Sequence, residues 1–98
     1  MNQVFEVELT EHARSDLVAA RIWLTQSGSG LRSRLRLSRI NRALVELQFN
    51  PLRWPIGTYR EARERFVDGY TIRYIVDPDR LIVCVLRVFR PYQNRSDP

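Results

Sequence analysis

From Leu81 to Phe89 every residue except Arg87 is apolar. That run is far short of the roughly 18 apolar residues that span a bilayer. Its valines and isoleucine favour extended chain. A strand so apolar must be covered on most of both faces, so it reads as the central strand of a sheet. Its neighbours lie just upstream. Asp68-Gly69 is a two-residue hairpin signal, because glycine accepts the positive φ of a type I′ turn. The turn joins a strand expected over Ala62 to Val67 to one over Tyr70 to Val76. In the second of these, Tyr70, Ile72, Tyr74 and Val76 face one way and Thr71, Arg73 and Ile75 the other. Asp77-Pro78-Asp79-Arg80 makes the next turn, with both aspartates as turn residues and not a metal pair.

The cover comes from the first half of the chain. Val4 to Leu9 reads as a first strand, and Thr10 can N-cap a helix with Glu11 in its first turn. From Glu11 to about Gln26, Ala13, Leu17, Ala20 and Leu24 fall on one helical face, which Trp23 widens. Ser27-Gly28-Ser29-Gly30 breaks this helix. A second helix is expected from Leu31 to Phe49, with Leu37, Ile40, Leu44 and Leu47 as its apolar stripe. Arg32, Arg36, Arg39 and Arg42 form an opposing, solvated stripe, and Glu46 is placed to pair with Arg42. Asn50-Pro51 stops the helix, since proline disfavours helical geometry in the residue before it. Pro51 to Tyr59 is a connector in which Trp54 acts as a lid on the core, and residues 90–98 are a polar tail.

The order is strand, helical hairpin, then a three-stranded antiparallel meander. This is an α+β domain with both helices on one face of a small sheet. The other face is left without a helix. If Tyr70, Ile72 and Tyr74 pack under the helices, Thr71, Arg73, Arg87 and Phe89 point to that open face, together with Val83 and Val85, and make a binding surface.

A length of 98 residues fits one domain, over 1–98. With 44% hydrophobic and 28% charged residues the chain is globular, not disordered. Sixteen basic against eleven acidic residues give a net charge of +5, and every basic residue is arginine. Guanidinium forks suit carboxylates and phosphates, so the chain is drawn to an acidic partner or to nucleic acid. Cys84 is the only cysteine, which excludes an intramolecular disulfide and a multi-cysteine zinc site. It is expected as a buried small hydrophobe. His12, the only histidine, has no catalytic partner nearby and reads as a surface residue. No metal and no cofactor are expected. Glu6, Glu8 and Glu11 interrupt the opening apolar pieces, so no signal peptide is read and the expected location is cytoplasmic.

Several segments in order carry a resemblance: Leu9-Thr10-Glu11-His12-Ala13-Arg14-Ser15-Asp16-Leu17, Asn50-Pro51 through Gly57, Gly69-Tyr70-Thr71-Ile72-Arg73-Tyr74-Ile75-Val76, and Ile82-Val83-Cys84-Val85-Leu86-Arg87-Val88. Over residues 4–92 the chain resembles the RelE/ParE superfamily of bacterial toxins, in its ParE (plasmid-stabilisation) branch. The resemblance implies a toxin held inactive by an acidic, ParD-like antitoxin in a hetero-oligomer, with operator DNA reached only through that antitoxin and no membrane partner. In the ParE-like branch it implies DNA gyrase as target, bound so that its cleaved DNA complex persists, with no catalytic residues. The alternatives are an inert antitoxin-binding homologue and a RelE-like, ribosome-dependent mRNA endoribonuclease. A nuclease of that kind needs groups to activate the 2′-OH, neutralise the phosphorane and protonate the leaving oxygen. Its arginine after Gly-Tyr is replaced by Thr71, its late arginine falls on Pro91 beside Arg90, and its lysines fall on Ala62 and Glu64. A one-residue slip would bring Arg63 and Arg65 into the basic positions. The residues expected to carry function are therefore Arg73, Arg87, Phe89, Arg36 and Arg39 for the antitoxin, and Arg90, Tyr92 and Arg95 for the target. Arg63, Arg65, Arg73, Arg90 and Tyr92 would serve the nuclease alternative.

Overall fold

A computed structural model describes residues 3–96 of the chain. Asp97 and Pro98, the end of the expected tail, lie outside the described residues. The elements run β1 (Glu6–Leu9), α1 (Glu11–Leu24), α2 (Gly30–Glu46), a 3-10 turn (Pro51–Arg53), β2 (Arg63–Val67), β3 (Tyr70–Asp77) and β4 (Ile82–Phe89). The sheet order is β1-β4-β3-β2, so the apolar run does lie between two neighbours. β1 pairs parallel with the first half of β4, and β2, β3 and β4 form the antiparallel meander.

Local chemistry accounts for most boundaries. Thr10 caps α1 by accepting from the Ala13 N–H at 3.0 Å, while its own hydroxyl donates to the Leu86 carbonyl at 2.8 Å. Asp68 and Gly69 both have positive φ, 48° and 87°, as a type I′ turn requires. The Asp77 carboxylate accepts from the N–H groups of Asp79 and Arg80, which closes the second turn. α2 ends at Glu46, earlier than expected, and the chain unwinds through Leu47 to Phe49 into a left-handed Asn50.

The core forms where both helices meet one face of the sheet. Ala13, Ala20 and Leu24 of α1 and Ile40 and Ala43 of α2, with Leu47 at its C-cap, pack on Tyr70, Ile72, Tyr74, Val83, Val85 and Val88. Three sequence expectations fail here. Trp23 is 63% exposed and outside the core, because α1 turns its small residues inward and leaves the indole on its flank. Cys84 is only half-buried, on the face away from the helices beside Glu8 of β1. Burial, reinforced by the Glu8 carboxylate, still pushes its thiol pKa up. Glu46 pairs with Arg65 of β2 at 2.8 Å and not with Arg42, since the ion pair ties helix to sheet.

The largest correction concerns Val83 and Val85. Arg73 pairs with Arg87 across β3 and β4, yet the next residue, Tyr74, pairs with Val85. Leu86 is the extra residue of a β-bulge, and a bulge reverses which alternate residues face the core. Val83 and Val85 therefore join the helix-side core, whereas Arg87 and Phe89 stay on the opposite face.

Tyr74 is fully buried and donates its phenol O–H to the Pro51 carbonyl, fixing the connector to the sheet. Burial pushes its pKa up to about 12, against a smaller downward pull from Arg63 and Arg65. The neutral phenol is the form the fold accepts, and the unfolded chain releases this proton at about 10. The contribution is thus complete below pH 10 and is lost as pH rises towards 12. Urea melts should show stability falling over that window, with a shallower fall in Tyr74→Phe. At neutral pH the variant should lose about 1–2 kcal/mol, because the Pro51 carbonyl is left without its donor. Equal pH profiles for the two proteins would contradict this.

Candidate functional site

Two regions hold the residues singled out in the sequence. The first is the sheet face away from the helices. It was expected open, but its arginines are enclosed. Arg73 is 1% and Arg87 5% exposed, and Phe89 is buried between these strands. Both guanidinium carbons lie 4.7 Å from the centre of the Phe89 ring. Glu64 of β2 pairs with Arg73 at 3.2 Å. Asp16 of α1 takes the Arg87 Nε at 2.8 Å and Nη2 at 3.2 Å, and accepts the Val88 N–H at 2.8 Å. Val88 needs that acceptor because β1 stops opposite Val85 and leaves the end of β4 without a parallel neighbour.

The rest of the cover comes from the connector and the tail. The Arg73 guanidinium stacks 4.6 Å from the Tyr59 ring and also donates to the Arg95 carbonyl. Arg95 donates to the Thr71 hydroxyl at 3.2 Å and lies over Phe66. Arg73, Arg87 and Phe89 are thus a satisfied internal cluster, and the tail is a strap across this face rather than a frayed end. Partners so distant in sequence (Asp16 with Arg87, Arg95 with Arg73) give no local pattern by which they could have been found.

The five residues of the nuclease alternative do not converge. Arg63 and Arg65 lie on the helix side of β2. Arg63 donates to the Leu52 and Trp54 carbonyls, and Arg65 to the Ala43 carbonyl and Glu46. Trp54, half-buried against the core as expected, lies within 4.6 Å of the Arg65 guanidinium and 4.8 Å of that of Arg53. Arg73 is on the opposite face of the sheet, under the tail. Arg90 and Tyr92 are elsewhere again.

They line the second region, a groove of about 790 Å³. α1 supplies one wall with Ala19 and Trp23, extended by Gln26 just beyond its C-cap, and the segment Arg90 to Gln93 supplies the other. Buried Tyr70 and Val88 line it between those walls, as does Arg36 of α2. Burial raises the Tyr70 pKa, and the nearby Arg36 and Arg90 charges partly offset that rise. The groove brings together an expected antitoxin contact, Arg36, and two expected target contacts, Arg90 and Tyr92. Trp23 is the lining residue that sequence reasoning missed: its position beside the apolar face pointed inward, and only the packing shows otherwise. Ile22, also exposed, lines the groove beside Trp23. Arg39 lies outside the groove and pairs with Asp68 at 2.9 Å, the arginine largely in solvent and the aspartate partly covered. Groups of histidine, cysteine and carboxylate suited to a metal are absent among the described residues. No helix there is long and apolar enough to cross a membrane.

The family model for the ParE toxin of type II toxin–antitoxin systems, parDE, matches residues 7–94. A sequence search among curated proteins finds no match. Among solved structures, the fold is similar to the chromosomal ParDE system from P. aeruginosa, with TM-score 0.71 and 15% identity over 90% of this chain and 97% of that chain. It is also similar to the RelBE2 toxin–antitoxin complex from Mycobacterium tuberculosis, with TM-score 0.58 and 23% identity over 93% and 95% of the two chains. The archaeal RelE–RelB complex from Pyrococcus horikoshii gives TM-score 0.63 and 11% identity over 94% and 100%.

Proposed function

This chain belongs to the ParE toxin family of type II toxin–antitoxin systems, and we propose that it acts by binding DNA gyrase and prolonging the cleaved state of its DNA. A poison of that kind needs only to bind the cleaved complex better than the resealed one. It needs no acid, base or nucleophile. The observation that carries this reading is the separation of Arg63 and Arg65 from Arg73 by the sheet itself, with Arg73 held by Glu64, Tyr59 and the tail. No single phosphodiester can touch all three.

The solved relatives are toxin–antitoxin complexes, which supports a partner antitoxin for this chain. Its chemistry follows from the groove: an acidic segment that folds on binding, with apolar anchors beside Trp23 and carboxylates on Arg36 and Arg90. Arg39 can serve the same partner where the segment crosses α2. Arg73, Arg87 and Phe89 support such binding from within, by holding the strands and tail that form the groove. Supercoiling by purified gyrase is the test. The chain should inhibit it and leave linear DNA after protein denaturation, and an excess of the acidic antitoxin should restore it. Full supercoiling at a large molar excess of the chain would refute the reading.

A further inference from the structure

α2 carries Arg32, Arg34, Arg36, Arg39 and Arg42, and its only carboxylate, Glu46, is committed to Arg65. Arg32, Arg36 and Arg39 follow at spacings of four and three, so they share one flank of the helix. Arg90 comes to the same flank from the end of β4, since it lines the groove with Arg36 and both charges act on Tyr70. Asp68 is bonded to Arg39. Among the described residues, Arg32, Arg36 and Arg90 form no ion pair.

Tyr92 lines the same groove as Arg36 and Arg90. It is wholly exposed, and its backbone is held at φ 65°, a left-handed conformation unfavourable for a residue other than glycine. The tail holds it there through the Arg90 N–H to Gln93 side-chain bond at 3.1 Å and through the Arg95 anchorage. The left-handed backbone presents the phenol to solvent at the groove that Arg36 and Arg90 line.

From this juxtaposition we propose that Arg32, Arg36, Arg90 and Tyr92 contact the sugar–phosphate backbone of duplex DNA. Guanidinium forks and a phenol O–H are phosphate donors. Along the helix the arginines stand about 4.5–6 Å apart at 1.5 Å per residue, far enough to reach different phosphates. Contacts to phosphate carry no sequence information, so the binding proposed is independent of sequence. Arg36 and Arg90 would also serve the antitoxin, so antitoxin and DNA exclude each other on this strip. The contribution of the strip to trapping a cleaved complex rests on the gyrase reading. The contact itself does not, and it is measured without the enzyme.

The experiment is fluorescence anisotropy of a labelled 20-base-pair duplex of arbitrary sequence, titrated with the full chain over a range of salt. Three neutralised phosphates give a slope of log K against log salt of about −3, or roughly 40-fold weaker binding from 50 to 200 mM salt. Arg32→Gln/Arg36→Gln/Arg90→Gln should bring the slope close to zero. Arg14→Gln/Arg60→Gln/Arg80→Gln removes equal charge from exposed sites elsewhere and should keep most of it. If the Arg36 substitution unfolds the chain, Arg32→Gln/Arg90→Gln carries the test, with the slope shallower by about 2. Equal losses in the strip and control variants would overturn the proposal, because net charge alone would then explain binding. Absence of salt-dependent duplex binding, or tighter strip-dependent binding of single-stranded RNA, would overturn it too. Duplex binding without gyrase inhibition would sink the gyrase reading and leave the contact standing. Undiminished gyrase inhibition by the strip variant would remove the contact from the mechanism.

Discussion

Asp16→Ala is expected to destabilise the chain by about 3–5 kcal/mol, the largest stability effect foreseen for an exchange outside the apolar core. Removing one partner of a buried ion pair leaves the other charge without compensation, and that penalty exceeds the net worth of the pair. Arg87, its side chain only 7% exposed, would lose both of its bonds to that carboxylate. The Val88 N–H would lose its acceptor at the same time, at the point where no strand replaces it. For a domain of this size the loss corresponds to a fall in Tm on the order of 20 °C. Asp16→Leu/Arg87→Met removes both charges and should recover more than half of it. A thermal melt of Asp16→Ala within a few degrees of wild type would mean that Arg87 is not held as described.

Trp23→Ala should act in the opposite way, weakening the antitoxin by 30-fold or more while leaving the Tm almost unchanged. The indole is 63% exposed and its burial adds little to folding. In a complex it would be covered on the wall of an apolar groove, flanked by Arg36 and Arg90. Tryptophan and arginine in such a setting are the residues whose truncation costs 2 kcal/mol or more, which is about 30-fold in affinity. Calorimetry with the acidic antitoxin and a parallel melt separate the two effects. Unchanged affinity would move the antitoxin off this groove, and a large fall in Tm would return Trp23 to the core.

Much of the fold was written locally. The Asp68-Gly69 turn, the Thr10 cap and the period-2 alternation of β3 each depend on neighbours within a few residues, and each reads directly from the chain. The face assignment of β4 does not. Strict alternation put Val83, Val85, Arg87 and Phe89 together, and one unpaired residue, Leu86, separates them. The expected open face lost Val83 and Val85 to that bulge, and its arginines are closed off by Glu64, Asp16, the connector and the tail. The burial of Arg73 and Arg87 depends on Glu64 and on Asp16, the latter 71 residues from its partner. No periodicity reports pairings of that range. The groove was half legible: Arg36, Arg90 and Tyr92 were singled out for their chemistry, but the packing of α1 against the tail is what brings them together.

This toxin is proposed to work by gripping another macromolecule, breaking no bond itself. The most direct test is the fate of DNA and messenger RNA in the same induced cells. Gyrase should be found covalently attached to broken DNA, set free as double-strand ends by denaturant and protease, with mRNA 5′ ends indistinguishable from those of uninduced cells. New mRNA 5′ ends within codons on ribosomes, abolished by Arg63→Ala or Arg65→Ala while the DNA stays intact, would contradict the proposal.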